Sequence, residues 1–231
     1  MSGAAAIVLA AGAGDRLGAE TPKAFVPVAG TTMLTLAVRA AAACPEIELV
    51  VAVVPRGWER RAEALLPSPA PVPVVAGGGT RQESVRLGLA AVPQDAETVV
   101  CHDAARPLAS SALFSAVIAA LEDADAAVPL VPVPDTVKRV EGGVVVRTEP
   151  REELALAQTP QAFVAAALRE AHARAAADGA TATDDAALLE RAGFRVRAVP
   201  GDPANFKVTT AEDLARAEAL LSAGPVEAAR G

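Results

Sequence analysis

Ala4-Ala5-Ala6-Ile7-Val8-Leu9-Ala10-Ala11-Gly12-Ala13-Gly14-Asp15-Arg16-Leu17-Gly18, followed by Pro22-Lys23, decides the fold. The run from Ala4 to Leu9 is apolar and strand-like, and it opens into a glycine-rich turn. A strand that ends in such a turn points several backbone N–H groups at one spot, and that nest binds phosphate oxygens without any side chain. Arg16 and Lys23 add two fixed positive charges to the same loop, which suits a reaction that builds negative charge on phosphorus. The competing interpretation is an ordinary strand-to-loop turn with two solvated cations, and Arg16, Pro22 and Lys23 together weigh against it.

The spacing argues against dinucleotide binding. That fold needs Gly-x-Gly-x-x-Gly and an acidic residue some twenty positions on, at the end of the second strand. Here the third glycine is Gly18, one place late, and the next strand-like run, 48–54, ends in Pro55-Arg56-Gly57 with no carboxylate.

A chain of 231 residues suits one well-cored domain. Its 52% hydrophobic content is inflated by alanine, and no apolar stretch reaches the roughly 20 residues that span a bilayer. The N-terminal run is short, has no Lys or Arg before it and carries the glycine turn, so it reads as a buried strand, not a signal peptide, and the expected location is cytoplasmic. Cys44 and Cys101 match no metal or redox spacing and read as buried thiols. A net charge of −7 argues against a nucleic-acid surface. Cations nevertheless recur beside glycine and proline, at Arg16, Lys23, Arg81, Arg106, Arg151 and Lys207, a pattern that suits a small polyanion better than a polymer.

Short β-branched runs alternate with alanine-rich amphipathic ones, the pattern of a mainly parallel, Rossmann-like α/β sheet flanked by helices. Strands are expected at 5–9, 48–54, 72–76, 98–102, 126–131 and near 195–199. Helices are expected at 33–42, 58–66, 81–91, 110–122, 164–177, 184–192 and 211–221. Thr80-x-x-Glu83 and Thr209-x-x-Glu212 carry capping-box signals. Residues 134–160 break the rhythm: β-branched flanks around Glu141-Gly142-Gly143 read as an inserted β-hairpin. A two-stranded ribbon is barely stable alone, so it either packs on another subunit, making a homodimer, or folds back on its own domain. The tail from 222 onward lacks anchoring apolar residues and reads as frayed.

Ligands of open α/β sheets sit at the carboxyl ends of the strands, which gathers the loops after the first, third, fourth and fifth strands. These are the glycine turn with Arg16 and Lys23, then Gly77-Gly78-Gly79-Thr80-Arg81-Gln82-Glu83-Ser84, then His102-Asp103-Ala104-Ala105-Arg106-Pro107, then Asp135-Thr136. Asp103 is a candidate hard-oxygen ligand for Mg²⁺ or another divalent cation, which beside a nucleotide takes only one or two carboxylates; alternatively it caps the next turn or pairs with Arg106. His102 reads as a packed strand residue, His172 as a surface residue, and Thr183-Asp184-Asp185 as a helix N-cap. Lys207 is a site lysine or a surface one. No Ser-His-Asp set, carboxylate pair or Cys nucleophile stands out, which leaves metal-assisted phosphoryl-type transfer.

At this point the chain resembles the 2-C-methyl-D-erythritol 4-phosphate cytidylyltransferases of the non-mevalonate isoprenoid pathway. The resemblance runs over about residues 5–220 and rests on six motifs. These are Ala10-Ala11-Gly12 to Lys23-Ala24-Phe25; Gly77 to Val85; His102 to Pro107; Pro134-Asp135-Thr136-Val137-Lys138; Gln158-Thr159-Pro160-Gln161-x-Phe163; and Thr183-Asp184-Asp185 with Asn205-Phe206-Lys207-Val208-Thr209. The first alone marks only a nucleotidyltransferase, whereas all six in order are specific. The resemblance implies CTP and methylerythritol phosphate as substrates, with the four catalytic groups Arg16, Lys23, Arg151 and Lys207. Arg16 and Lys23 would stabilise the α-phosphorus, and Arg151 and Lys207 would orient the acceptor. Ala10, Ala11, Gly12, Ala13 and Gly14 would hold the triphosphate, and Gly78, Gly79, Arg81, Ser84 and Ala104 complete the nucleotide site. Asp103 would bind the metal, and with Arg106, Thr136, Arg151, Thr183 and Lys207 it would surround the acceptor. Thr136 and Arg151 flank the hairpin, which in this family reaches across a dimer, so they would serve the partner's site. Gly79 stands where some relatives carry Asp, leaving only a main-chain contact to the base. Some relatives are fused to a later enzyme of the pathway, and the expectation here is one nucleotidyltransferase domain. Rivals on the same scaffold are a cytidylyltransferase for another polyol phosphate, such as ribitol 5-phosphate, and a sugar-1-phosphate nucleotidylyltransferase; from another class, a catalytically inactive nucleotide-binding protein.

Overall fold

The computed structural model describes residues 3–12, 21–66 and 71–223. Strand β1 (Ala4–Leu9) leads, by way of a 3-10 turn at Lys23–Phe25, to a two-rung hairpin of β2 (Pro27–Val28) and β3 (Thr31–Thr32), and then to α1 (Met33–Ala42). There follow β4 (Ile47–Val54), α2 (Glu59–Leu65), β5 (Val74–Ala76), α3 (Arg81–Ala90), β6 (Thr98–Asp103), α4 (Ser111–Ala119) and β7 (Ala126–Pro132). A ribbon of β8 (Val137–Glu141) and β9 (Val144–Glu149) comes next, then β10 (Ala155–Ala157), β11 (Gln161–Val164), α5 (Ala165–Asp178), α6 (Asp185–Arg191), β12 (Val196–Pro200) and α7 (Ala211–Ser222).

The main sheet runs β10-β7-β11-β6-β1-β4-β5, with β12 paired to β7. β1 lies between β4 and β6, parallel to both. Its six residues are all buried: Ala4, Ala6 and Val8 face one core, and Ala5, Ile7 and Leu9 the other. A strand covered on both faces has no solvent side, which is why its sequence is uninterruptedly apolar instead of alternating. Helices α1, α2 and α4 pack on the first face, and α3, α5 and α6 on the second. Helix α7 closes a smaller cluster with Val28, Met33 and Val208. Among the described residues no helix is long and apolar enough to cross a membrane, and Cys44 and Cys101 are buried free thiols.

The expected strands and helices are present, with ends moved by one to three residues; the helix expected at 110–122 ends at Ala119 and continues as a 3-10 turn at Ala120–Asp123. The sheet holds more than was read from the sequence, however: β11 runs antiparallel to both β6 and β7, and β10 antiparallel to β7. Segments of three and four residues are too short to display a period. Together they act as one interrupted strand. Ala157 faces Leu130 and Ala162 faces Ala127, so five steps on one side match three on the other. The surplus at Gln158-Thr159-Pro160 is looped out, as bulges beside active sites re-aim side chains.

Three local expectations are corrected. The box at α7 is one residue later than read, formed by Thr210 and Asp213; the short Asp213 carboxylate accepts from Thr209 N–H, Thr209 Oγ1–H and Thr210 N–H at 2.7–2.9 Å. At α3, Thr80 caps the Glu83 N–H, but the Glu83 carboxylate reaches past it to the Gly79 N–H at 2.8 Å. His172 is not a surface residue; it is buried, on the face of α5 that carries Leu168, Ala171 and Ala175 into the core.

The ribbon turns through Gly142 (φ 54°) and Gly143 (φ 82°), the two positive φ values that a two-residue hairpin loop with native twist demands. It pairs with no strand of the main sheet. Neither face is buried against the described residues, and Val140, Val144, Val145 and Val146 are exposed.

Candidate active site

A cavity of about 470 Å³ opens at the carboxyl ends of β1, β5 and β6, where this topology gathers its loops. Its first wall is the main chain of Ala10, Ala11 and Gly12; Ala10 N–H still donates to the Val53 carbonyl (2.7 Å), so the turn leaves the sheet only after it. Opposite lie Gly78, Gly79, Arg81 and Ser84. The two walls meet at Gly77, where a Cβ would lie 2.3 Å from the Ala11 Cβ and 2.9 Å from the Ser84 hydroxyl. Only glycine permits that approach. Ser84 Oγ accepts from the Gly78 N–H (3.1 Å) and donates to the Thr80 carbonyl (2.9 Å), which shapes the loop. Lys23 enters from the 3-10 turn, anchored by the buried Phe25 ring against Trp58 with centroids 4.8 Å apart.

Asp103, the last residue of β6, is the cavity's one acidic lining residue among those described. Its Oδ1 accepts from Arg81 Nε at 3.1 Å and its Oδ2 from Lys207 Nζ at 2.7 Å. It therefore pairs with Arg81 and Lys207, not with Arg106. Burial by itself would raise the Asp103 carboxyl, but the charges of Arg81 and Lys207 and their hydrogen bonds hold it well below the usual carboxylate range. Arg81 continues to Asp185, with Nη1 to Oδ2 at 2.6 Å, and Asp185 Oδ1 meets His172 Nε2 at 3.0 Å. Asp185 is also held low: burial opposes its charge, while the hydrogen bond from His172 and the Arg81 charge more than offset it. Burial likewise opposes the charge on Arg81, but Asp185 and Asp103 raise its pKa. With three cationic lining residues, Lys23, Arg81 and Lys207, against one acidic one among those described, the cavity carries an excess of positive charge fit for an anion.

A buried polar network beneath the cavity sets these positions. Asp103 N–H donates to Thr159 Oγ1 at 2.9 Å, and Thr159 Oγ1 lies 3.1 Å from His102 Nδ1. His102 Nε2 lies 3.2 Å from the Arg106 carbonyl. A carbonyl can only accept, so Nε2 carries the proton and bare Nδ1 accepts from the Thr159 hydroxyl. Burial lowers the His102 pKa to about 4, in keeping with a neutral ring. Asn205 Nδ2 donates to Thr159 O (2.9 Å) and Gln158 Oε1 (3.2 Å), and Val208 N–H donates to Ala105 O (2.8 Å). That loop brings Lys207 across more than a hundred residues of chain to Asp103.

Of the residues singled out from sequence, Ala10, Ala11, Gly12, Lys23, Gly78, Gly79, Arg81, Ser84, Asp103 and Lys207 line this cavity. Ala13, Gly14 and Arg16 lie outside the described residues. Ala104 is fully buried, its N–H donating to Leu9 O at 2.9 Å, and Ala105 lines the cavity beside it. Arg106 is turned inward, donating to Asn205 O (2.8 Å) and Ala157 O (3.1 Å). Thr183 is exposed just before the N-cap Asp184, whose carboxylate accepts from the Ala187 N–H as expected and from Gln161 Nε2. Thr136 and Arg151 share a separate cavity of about 340 Å³ at the root of the ribbon, where Arg151 Nη1 donates to Pro134 O. Thr159, Asn205, Asp185 and His172 carry structural weight that the sequence reading did not assign. For Thr159, the signal was a polar Gln-Thr-Pro-Gln run between two apolar stretches.

Asp103 fits a hard cation only in one manner. Among the described residues no three His, Cys, Asp or Glu side chains converge as a metal site, and each Asp103 oxygen keeps a lone pair beyond its one charged partner. That donor set suits a Mg²⁺ whose remaining ligands are phosphate oxygens and water.

The geometry therefore describes a cationic cavity with main-chain walls on an α/β sheet, and comparison with known proteins narrows its meaning. Residues 4–223 match the family profile described as IspD: 2-C-methyl-D-erythritol 4-phosphate cytidylyltransferase. The enzyme of that name from Rhodococcus opacus (strain B4) is 49% identical over 221 residues, 95% of each chain. That from Nocardia farcinica (strain IFM 10152) is 50% identical over 218 residues, 94% of this chain and 93% of its own. The crystal structure of the Thermus thermophilus enzyme superposes with a TM-score of 0.79 at 39% identity, covering 94% of this chain and 98% of that one. A 4-diphosphocytidyl-2C-methyl-D-erythritol synthase from Anaerococcus prevotii DSM 20548 reaches 0.85 at 30% identity, covering 96% and 99%. The match thus spans every wall of the cavity as well as the sheet that carries it, and the chain belongs to the 2-C-methyl-D-erythritol 4-phosphate cytidylyltransferase family.

Proposed function

We infer that the chain transfers the cytidylyl group of CTP to 2-C-methyl-D-erythritol 4-phosphate, giving 4-diphosphocytidyl-2-C-methyl-D-erythritol and pyrophosphate. The observation that carries the assignment to this cavity is its combination of main-chain walls at Ala10–Gly12 and Gly78–Gly79 with Lys23 in the lining and with Arg81 and Lys207 paired to Asp103.

The acceptor phosphate attacks the α-phosphorus in line. A phosphate monoester is largely dianionic at neutral pH, so no general base is needed. Lys23, with Arg16, neutralises charge on the α-phosphoryl oxygens as the fifth bond forms. Backbone N–H groups beyond Ala10 hold the triphosphate, and the Gly78–Ser84 loop holds the cytidine. Lys207 gives one of its three N–H donors to Asp103, which leaves two for the acceptor phosphate. Asp103 is the residue that would hold Mg²⁺; a divalent ion there supplies charge neutralisation to the phosphates. The family resemblance assigns Arg106 and Thr183 to the acceptor, although neither is among the described residues that line this cavity.

The second cavity, with Thr136 and Arg151, lies on the unsupported ribbon, and the exposed valines there suit burial in a symmetric pair. The reading is of a single nucleotidyltransferase domain whose arm completes the partner's site in a cytoplasmic homodimer. Mixing inactive Arg151→Ala and Lys23→Ala chains should then restore activity in the heterodimer; an inert mixture refutes arm sharing.

Pyrophosphate release tests the whole assignment. Each of the four nucleoside triphosphates is paired with methylerythritol phosphate or ribitol 5-phosphate, and only CTP with the former should turn over. Lys23→Ala should lower kcat by about 100-fold or more with a small change in KM for CTP. An unchanged kcat removes Lys23 from the chemistry.

A further inference from the structure

His172 takes no part in the mechanism above, yet it is buried at 4% exposure and its Nε2 meets a carboxylate buried at 1%. That carboxylate, Asp185, is the second anchor of Arg81. A guanidinium has three nitrogens. In Arg81, Nε is taken by Asp103 and Nη1 by Asp185, while Nη2 is buried with no hydrogen-bond partner among the described residues. The two carboxylates thus fix the plane of a guanidinium whose residue lines the nucleotide cavity.

Asp185 can serve as an anchor only if it is itself held. Its Oδ2 faces Arg81, and its Oδ1 accepts the His172 Nε2–H. The surrounding backbone is clamped as well: Gln82, next to Arg81 on α3, donates from Nε2 to Ala180 O (3.1 Å) and accepts the Ala182 N–H (3.3 Å). The first turn of α3 therefore grips the segment that leads into Asp185 at Ala180 and Ala182, and His172 supplies the remaining hold from α5. Without the imidazole, a buried carboxylate oxygen loses its partner. Asp185 would then turn toward Arg81, its other charged partner among the described residues, and draw the guanidinium away from Asp103.

We propose that His172 is a positioning residue for cytidylyl transfer: through Asp185 it sets the orientation of Arg81 at the nucleotide cavity. This rests on the reading of that cavity as the CTP site. Steady-state kinetics with CTP varied at saturating methylerythritol phosphate test it on Arg81→Ala, His172→Gln, His172→Asn and His172→Leu, each checked for wild-type circular dichroism. Glutamine places an N–H donor at about the reach of Nε2 and should keep kcat/KM within about threefold of wild type. Asparagine falls short of Asp185 and leucine has no donor; both should lower kcat/KM for CTP by about 10- to 100-fold, the scale of a misplacement near 1 Å. In an Arg81→Ala background, His172→Asn should add less than twofold, because the two substitutions remove one arrangement. Equal activity of the Gln and Asn variants, or a full additional loss on top of Arg81→Ala, overturns the proposal, and this contrast stands even if the leucine variant fails to fold. Should Arg81→Ala itself retain wild-type kcat/KM, the placement of Arg81 in the CTP site fails. If Arg81→Ala is impaired while the His172 variants are not, only the positioning role fails.

Discussion

Acidification should unfold this protein partly through one imidazole. His102 is fully buried on β6 and neutral, with Nε2–H given to the Arg106 carbonyl and Nδ1 accepting from Thr159. Its pKa falls from 6.5 to about 4, burial being the dominant cause. The sign follows from linkage: between pH 6.5 and 4 the unfolded chain binds a proton at this site and the folded chain does not, so stability is full above 6.5 and declines as pH falls. A shift from 6.5 to about 4 is worth roughly 3 kcal/mol when complete, of which about 2 kcal/mol is lost by pH 5. That is a sizeable part of a typical stability of about 5–15 kcal/mol. Urea unfolding followed by Trp58 fluorescence at pH 7, 6 and 5 measures the loss. His102→Asn is the control: it keeps an acceptor near Thr159 but cannot titrate, and His172 is common to both proteins. The wild type should lose about 2 kcal/mol more than the variant between pH 7 and 5. Parallel pH profiles, or an imidazole resonance of His102 titrating near 6.5, refute the argument.

Two further substitutions probe how the fold holds the site. Thr159→Val preserves shape but strips the acceptor from the buried Asp103 N–H and the donor from His102 Nδ1; at about 1–3 kcal/mol for an orphaned buried group and about 2–4 °C per kcal/mol in a chain of this size, Tm should fall by roughly 2–12 °C, and a change under 1 °C in a thermal melt contradicts the network. Gly77→Ala sets a methyl 2.3 Å from the Ala11 Cβ, so one cavity wall must move; kcat/KM for CTP should drop at least tenfold, with little loss of Tm, and wild-type kinetics would show that the walls need not touch.

Read alone, the sequence determines the α/β class and the cavity's main-chain walls, because both follow from local chemistry. The apolar run at Ala4–Leu9 can only be a strand covered on two faces, the Gly77-Gly78-Gly79 turn announces close backbone approach, and Met33–Ala42 and Arg81–Ala90 carry enough helical period to be placed nearly to the residue. The ribbon was legible for the same reason, since Gly142-Gly143 between valines specifies a tight turn. What tertiary structure alone decided is which charges meet. Asp103 has an arginine three residues on in sequence, but Arg106 turns to the Asn205 and Ala157 carbonyls, and Asp103 pairs instead with Arg81 and Lys207, 22 and 104 positions away. His172, in an alanine-rich helix that gave no hint of burial, is covered by α6 and tied to Asp185. An ion pair depends on distance and shared burial, both products of strand order, and strand order here was altered by β11, four residues inserted antiparallel between β6 and β7.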